Sequence, residues 1–130
     1  MKVFKKSDKG SWGNRLNFVD KNNVVLGYDY ERSCCEDFYY EILREEPVKV
    51  SGHGLELVDT NELDDEGLFF DTTYNKDIKD ENRGVFSSIF KVVGGEHDFY
   101  IMLVNCQNGC YSHGFSLTDS SGKTIFDGYL

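Results

Sequence analysis

Residues 85–106 constrain the fold of this chain more than any other stretch. In Val85-Phe86-Ser87-Ser88-Ile89-Phe90-Lys91-Val92-Val93, the odd-numbered positions share one strand face and the even-numbered ones the other. Gly94-Gly95 follows as a turn signal. Residues 98–106 then form the most apolar run of the sequence. At nine residues that run suits a buried central strand and is too short to cross a bilayer. Together the two runs predict an antiparallel hairpin.

The rest of the chain points the same way. It has 130 residues, which predicts a single domain spanning 1–130, and ten Phe, eight Tyr and one Trp exclude a disordered chain. Lys2-Val3-Phe4-Lys5 reads as a first edge strand, since lysines suit an edge. Residues 14–30 read as a hairpin around the turn Asp20-Lys21-Asn22-Asn23. Residues 37–44 mix helical spacing with aromatic enrichment. The Ser33…Glu36 pair resembles a capping box, so a short helix or irregular turn is expected there. Val48-Lys49-Val50 and Leu55-Glu56-Leu57-Val58 predict a short hairpin around Gly52-His53-Gly54, with His53 exposed. Leu68-Phe69-Phe70 reads as a strand, residues 72–83 as a polar loop, and Lys123-Thr124-Ile125-Phe126 as a last strand. The expected class is mostly β, an antiparallel sandwich or barrel-like sheet with at most one or two short helices.

Charge is concentrated. The net charge is −9, and residues 56–81 carry ten acids against Lys76 and Lys79, leaving −1 to the rest. That excludes direct nucleic-acid binding of the usual kind, which needs cations against phosphates. It favours a basic protein partner. Asp59, Glu62, Asp64, Asp65 and Glu66 are the expected partner-binding residues, with Phe69 or Phe70 as apolar anchor. The N-terminal residues lack an apolar signal core and no segment is a membrane span, so a cytoplasmic location is expected.

Two blocks concentrate reactive side chains: Ser33-Cys34-Cys35-Glu36 and residues 105–115, which hold Cys106, Asn108, Cys110, Tyr111 and His113. Three readings stand side by side. Cys106, Cys110 and His113, with Cys34 or Cys35, have the donor types of zinc, but no Cys-x-x-Cys pair is present. Cys34 or Cys35 with His113 supplies a thiol and a base, oriented by Glu36 or Asn108. The structural reading makes Asn108-Gly109 a hairpin turn and Gly114 a bulge or close approach. Cys34, Cys35, Glu36, Asn108, Tyr111 and His113 are the candidate pocket residues. Gly94-Gly95 lacks the helix and Lys-Ser/Thr of a phosphate loop, and residues 59–65 lack calcium-loop spacing.

Asn17-Phe18-Val19-Asp20, Asn23-Val24-Val25-Leu26-Gly27-Tyr28-Asp29, Cys34-Cys35-Glu36 and Asn108-Gly109-x-Tyr111-Ser112-His113-Gly114-Phe115 together resemble an uncharacterised family of small bacterial and phage proteins. Members of that family carry His at the position of Gln107 and Tyr at the position of Cys110, which weakens the zinc reading. The resemblance implies no activity; it fits a cytoplasmic accessory protein. The expectation is a small acidic inhibitor of a basic protein such as a nuclease toxin, of the toxin-immunity or phage counter-defence type. No cofactor is called for. The alternative is a small-molecule-binding or thiol-dependent enzyme domain, its pocket formed by the Cys34-Cys35 loop and residues 105–115.

Overall fold

The computed structural model describes residues 1–8, 13–30, 37–50, 54–106 and 112–130, and only the backbone of 6–8 and 13–14. Nine strands form two antiparallel sheets: β1 Lys2–Asp8, β2 Gly13–Val19, β3 Val25–Asp29, β4 Phe38–Leu43, β5 Phe69–Asp80, β6 Val85–Val93, β7 Phe99–Asn105, β8 Gly114–Thr118 and β9 Thr124–Tyr129. The first sheet runs β1-β2-β3-β8-β9 and the second β4-β7-β6-β5. The chain is therefore a mostly-β sandwich, and its one described helical element is a 3-10 turn at Thr60–Leu63. Among the described residues no helix is long and apolar enough to cross a membrane.

Alternation decides which face each side chain takes. Leu16, Phe18, Leu26, Tyr28, Phe115 and Leu117 point from the first sheet into one core with Phe38, Ile42, Phe90, Val92, Phe99, Ile101 and Leu103 of the second. Edge-to-face ring pairs cross the gap, Phe18 with Tyr40 at 5.5 Å and Phe90 with Phe115 at 5.7 Å. The Tyr28 hydroxyl donates to the Val104 carbonyl at 3.3 Å, which ties the sheets through a buried polar contact. The second sheet is apolar on its outer face too: Leu43, Ile89, Met102 and Val104 form a second cluster, with Leu55, Tyr74 and Tyr100 against it. That is why β7 is apolar at nearly every position. It lies between β4 and β6 and is packed on both faces.

The expected hairpins at 14–30 and 85–106 are present, in registers Val19↔Val25 and Val92↔Phe99. Three expectations are overturned. Residues 38–43 form a strand paired with β7 over its whole length. A helix would bury one stripe, whereas Phe38, Tyr40 and Ile42 face one core and Tyr39 and Leu43 the other, so a strand buries both sets. The polar residues 72–80 are the outer half of β5, an edge strand of 12 residues. An edge strand needs one neighbour, and its solvated positions accept Lys and Asp. Residues 48–58 make no described hairpin. Leu57 bridges Leu43, the Val58 amide donates to the Ile42 carbonyl at 3.0 Å, and the Ser87 hydroxyl donates to the Val50 carbonyl. The segment thus covers the outer apolar cluster. His53 lies outside the described residues.

Each sheet edge is blunted. β1 carries Lys2, Lys5 and Lys6; β4 is bridged by Leu57; β5 shifts register between Phe70 and Asn75; β9 has an extra residue opposite Leu117/Thr118. Lysines and bulges both hinder edge-to-edge pairing.

The β6–β7 turn depends on Gly94, whose φ is +97°, the left-handed region. A Cβ there would meet the Gly67 carbonyl oxygen at 2.5 Å and the Phe69 ring at 2.7 Å. Strain and collision act together, so Gly94→Ala is expected to destabilise by about 2 kcal/mol. A shift of the urea midpoint at unchanged m-value would report it. A loss below about 0.5 kcal/mol would mean that the turn relaxes freely.

Candidate functional site: an anchored acidic loop

Residues 59–66 combine buried anchors with exposed carboxylates. Asp59 precedes the 3-10 turn in an extended conformation, and its side chain caps nothing. Short local bonds hold the loop: Glu62 N–H to Asp59 O at 3.0 Å, Asp64 N–H to Asn61 O at 3.1 Å and Leu68 N–H to Asp65 O at 3.2 Å. Leu63, in the middle of the loop, and Leu68, just beyond it, are buried in the main core. The Met1 ammonium donates to the Leu63 and Asp65 carbonyls at 2.9 and 3.0 Å.

Below the loop lies Asp20, 5% exposed in the β2–β3 turn. Its Oδ1 accepts from the Asn22 and Val24 amides and its Oδ2 from the Phe70 amide, each at 2.9 Å. One carboxylate therefore closes the β2–β3 turn and ties it to the start of β5, so the acidic loop is seated on a defined base.

Asp59, Glu62, Asp64, Asp65 and Glu66 are all exposed. Arg44, from just beyond β4, pairs with Glu62 and lies 3.9 Å from Glu56. Sequence reasoning missed Arg44, because a cation from another element is invisible to spacing along the segment. Asp65 Oδ1 accepts from the Gly67 amide at 2.8 Å. No side-chain ion pair among the described residues engages Asp59, Asp64, Asp65 or Glu66. The two proposed anchors separate. Phe70 is 3% exposed, in the core, and is unavailable to a partner; this corrects its assignment, because inward alternation at the start of β5 buries it. Phe69 is half-buried, with the Lys21 ammonium 4.8 Å from its ring centre.

Of the second candidate site, Cys34, Cys35, Glu36, Asn108, Cys110 and Tyr111 lie outside the described residues. His113 and Cys106 are described. His113 is 2% exposed at the entry to β8. Its ring stacks on Phe38 with centres 4.0 Å apart, and Nδ1 donates to the Asp29 carbonyl at 2.8 Å. Its backbone exchanges both hydrogen bonds with Leu130. This histidine is held by packing and by hydrogen bonds to the backbone of Asp29 and Leu130. Cys106 is half-buried. Burial, and then the neighbouring Asp37 carboxylate, push its thiol above the ordinary cysteine range. Tyr39 beside it is pushed up to about 12 by burial and then by Cys106 and nearby carboxylates. Both shifts favour the protonated forms at neutral pH. Among the described residues no three His, Cys, Asp or Glu side chains converge as a metal site.

The fold defines the class as a two-sheet β-sandwich with an acidic loop at one end. Comparisons with family models, curated proteins and solved structures found no match to this chain.

Proposed function

We propose that this protein is a small interaction domain that captures a basic protein partner through the loop 59–66, as an inhibitor of the toxin-immunity or phage counter-defence type. The observation that supports it is the pairing of buried anchorage with four carboxylates, Asp59, Asp64, Asp65 and Glu66, that make no side-chain ion pair among the described residues. A loop held by Leu63, Leu68 and the Asp20 bonds presents its charges at little ordering cost on binding. Concentrated negative potential raises association rates with a cationic surface and selects docking orientation. Phe69 supplies apolar area beside the charges.

The test has two stages. The immobilised chain first captures basic proteins from the host lysate at low salt. Association rates of a purified captured protein are then measured across ionic strength. Changing Asp59, Asp64 and Asp65 to Asn and Glu62 and Glu66 to Gln together is expected to slow association about tenfold at low salt and to flatten its salt dependence. A thermal melt controls for the lost Arg44–Glu62 pair. An unchanged association rate in a folded variant overturns the proposal.

A further inference from the structure

Phe69 opens β5, where alternation turns Phe70 inward and leaves Phe69 half-buried on the other face. Its ring rests on the β6–β7 turn: a Cβ on Gly94 would stand 2.7 Å from Cε1 and 2.8 Å from Cδ1. The Asp65 carboxylate lies against the next residue, where a Cβ on Gly95 would stand 3.3 Å from Oδ2. Ring and carboxylate therefore flank one turn. Asp65 Oδ1 accepts from the Gly67 amide, and Asp65 makes no ion pair among the described residues.

A cation already sits on this ring. Lys21, an exposed residue of the β2–β3 turn, places its ammonium 4.8 Å from the ring centre. The backbone fixes the pair. The Lys21 amide donates to the Leu68 carbonyl at 3.5 Å, and Asp20 accepts from the Phe70 amide at 2.9 Å, so the turn is joined to the chain on either side of Phe69. The same lysine borders a groove of about 450 Å³ together with Lys2, Asp64 and Glu66. Lys21 nevertheless forms no ion pair with any carboxylate among the described residues. The ring holds it instead. A cation–π contact at an exposed site is weak enough to be exchanged.

A guanidinium can do what this ammonium does not. It stacks flat on an aromatic face and keeps its in-plane N–H donors for carboxylates, whereas an ammonium is a compact, strongly hydrated point charge. Given the docking role of the loop 59–66, on which this step rests, we propose that Phe69 is the seat for an arginine side chain of the partner, and that Lys21 is an internal competitor occupying the seat in the free protein. The incoming guanidinium displaces the Lys21 ammonium, stacks on Phe69 and pairs with the unpaired carboxylates of the loop. Phe69 thus sets a preference for arginine over lysine, and Lys21 lowers the affinity for both.

The test uses hexa-arginine and hexa-lysine peptides, equal in charge, titrated into the full chain at low salt. Hexa-arginine is expected to bind at least about threefold more tightly than hexa-lysine and to shift the amides of Lys21, Phe69 and Gly94. Phe69→Leu keeps apolar bulk and removes the aromatic face, so the two peptides should bind it alike. Lys21→Gln should tighten hexa-arginine binding by about threefold. Lys79→Gln removes the same charge at the far end of β5 and should tighten it much less. Thermal melts establish that the variants are folded. If neither peptide binds, the docking role of the loop fails and the arginine seat with it. The docking role stands and the arginine seat is overturned if both peptides bind wild type alike, if folded Phe69→Leu still discriminates between them, or if Lys21→Gln acts no more strongly than Lys79→Gln.

Discussion

Asp20→Ala is expected to lower the stability of this protein by about 3 kcal/mol, more than most single substitutions away from the apolar core. The substitution removes the acceptor for three amides, those of Asn22, Val24 and Phe70. The amide of Asn22, an exposed residue, regains water. Those of Val24 and Phe70 belong to buried residues and would be left without a partner. Each orphaned buried amide costs about 1–3 kcal/mol, and a bond to a charged acceptor is worth more than a neutral one. Asp20→Asn keeps one oxygen acceptor and turns an NH2 group toward a donor, so it should fall between wild type and alanine. Denaturant unfolding at constant m-value measures both. An alanine variant within about 1 kcal/mol of wild type would show that the β2–β3 turn and β5 do not depend on this carboxylate.

His113→Ala is expected to cost about 3 kcal/mol, as the removal of a large buried ring usually does. The ring fills the space between Phe38 and Tyr28, with centres at 4.0 and 6.1 Å. Its Nδ1 satisfies the Asp29 carbonyl at the end of β3. His113→Phe preserves most of the packing and loses the donor, so it should recover part of the loss. The ordering wild type, then phenylalanine, then alanine in unfolding free energy is the signature of a structural ring. If alanine equals wild type in stability, the packing role is refuted. The prediction bears on the enzyme alternative as well, since His113 was its candidate base.

Much of the fold was legible in the sequence. The β6–β7 hairpin and the β2–β3 hairpin follow from alternation and from turn residues, both of which are local signals. β1 was legible as an edge because lysines mark it. β4 was not legible: Phe38 and Ile42 satisfy helical spacing, and only the presence of apolar surface on both faces of the second sheet makes a strand the better burial. The polar half of β5 was missed because composition cannot tell an edge strand from a loop. Pairing with β6 supplies the backbone bonds that settle it.

The candidate sites divide along the same line. The acidic loop was readable as charge density, and its five carboxylates are exposed. Its anchoring by Asp20, the assignment of Phe70 to the core and the Arg44 pair were not readable. The contact of the Arg15 guanidinium with Gly27 left no linear trace, because it joins β2 to β3. By itself the sequence determined the strand-rich class, the strongest hairpins and the location of the charge, since these depend on residue type and on neighbours a few positions away. Tertiary structure alone decided which apolar face meets which. It also brought Arg15 onto Gly27, Asp20 under Phe70 and His113 against Phe38. Those contacts depend on strand order and register, which arise when two sheets bury a shared core and which no local pattern encodes.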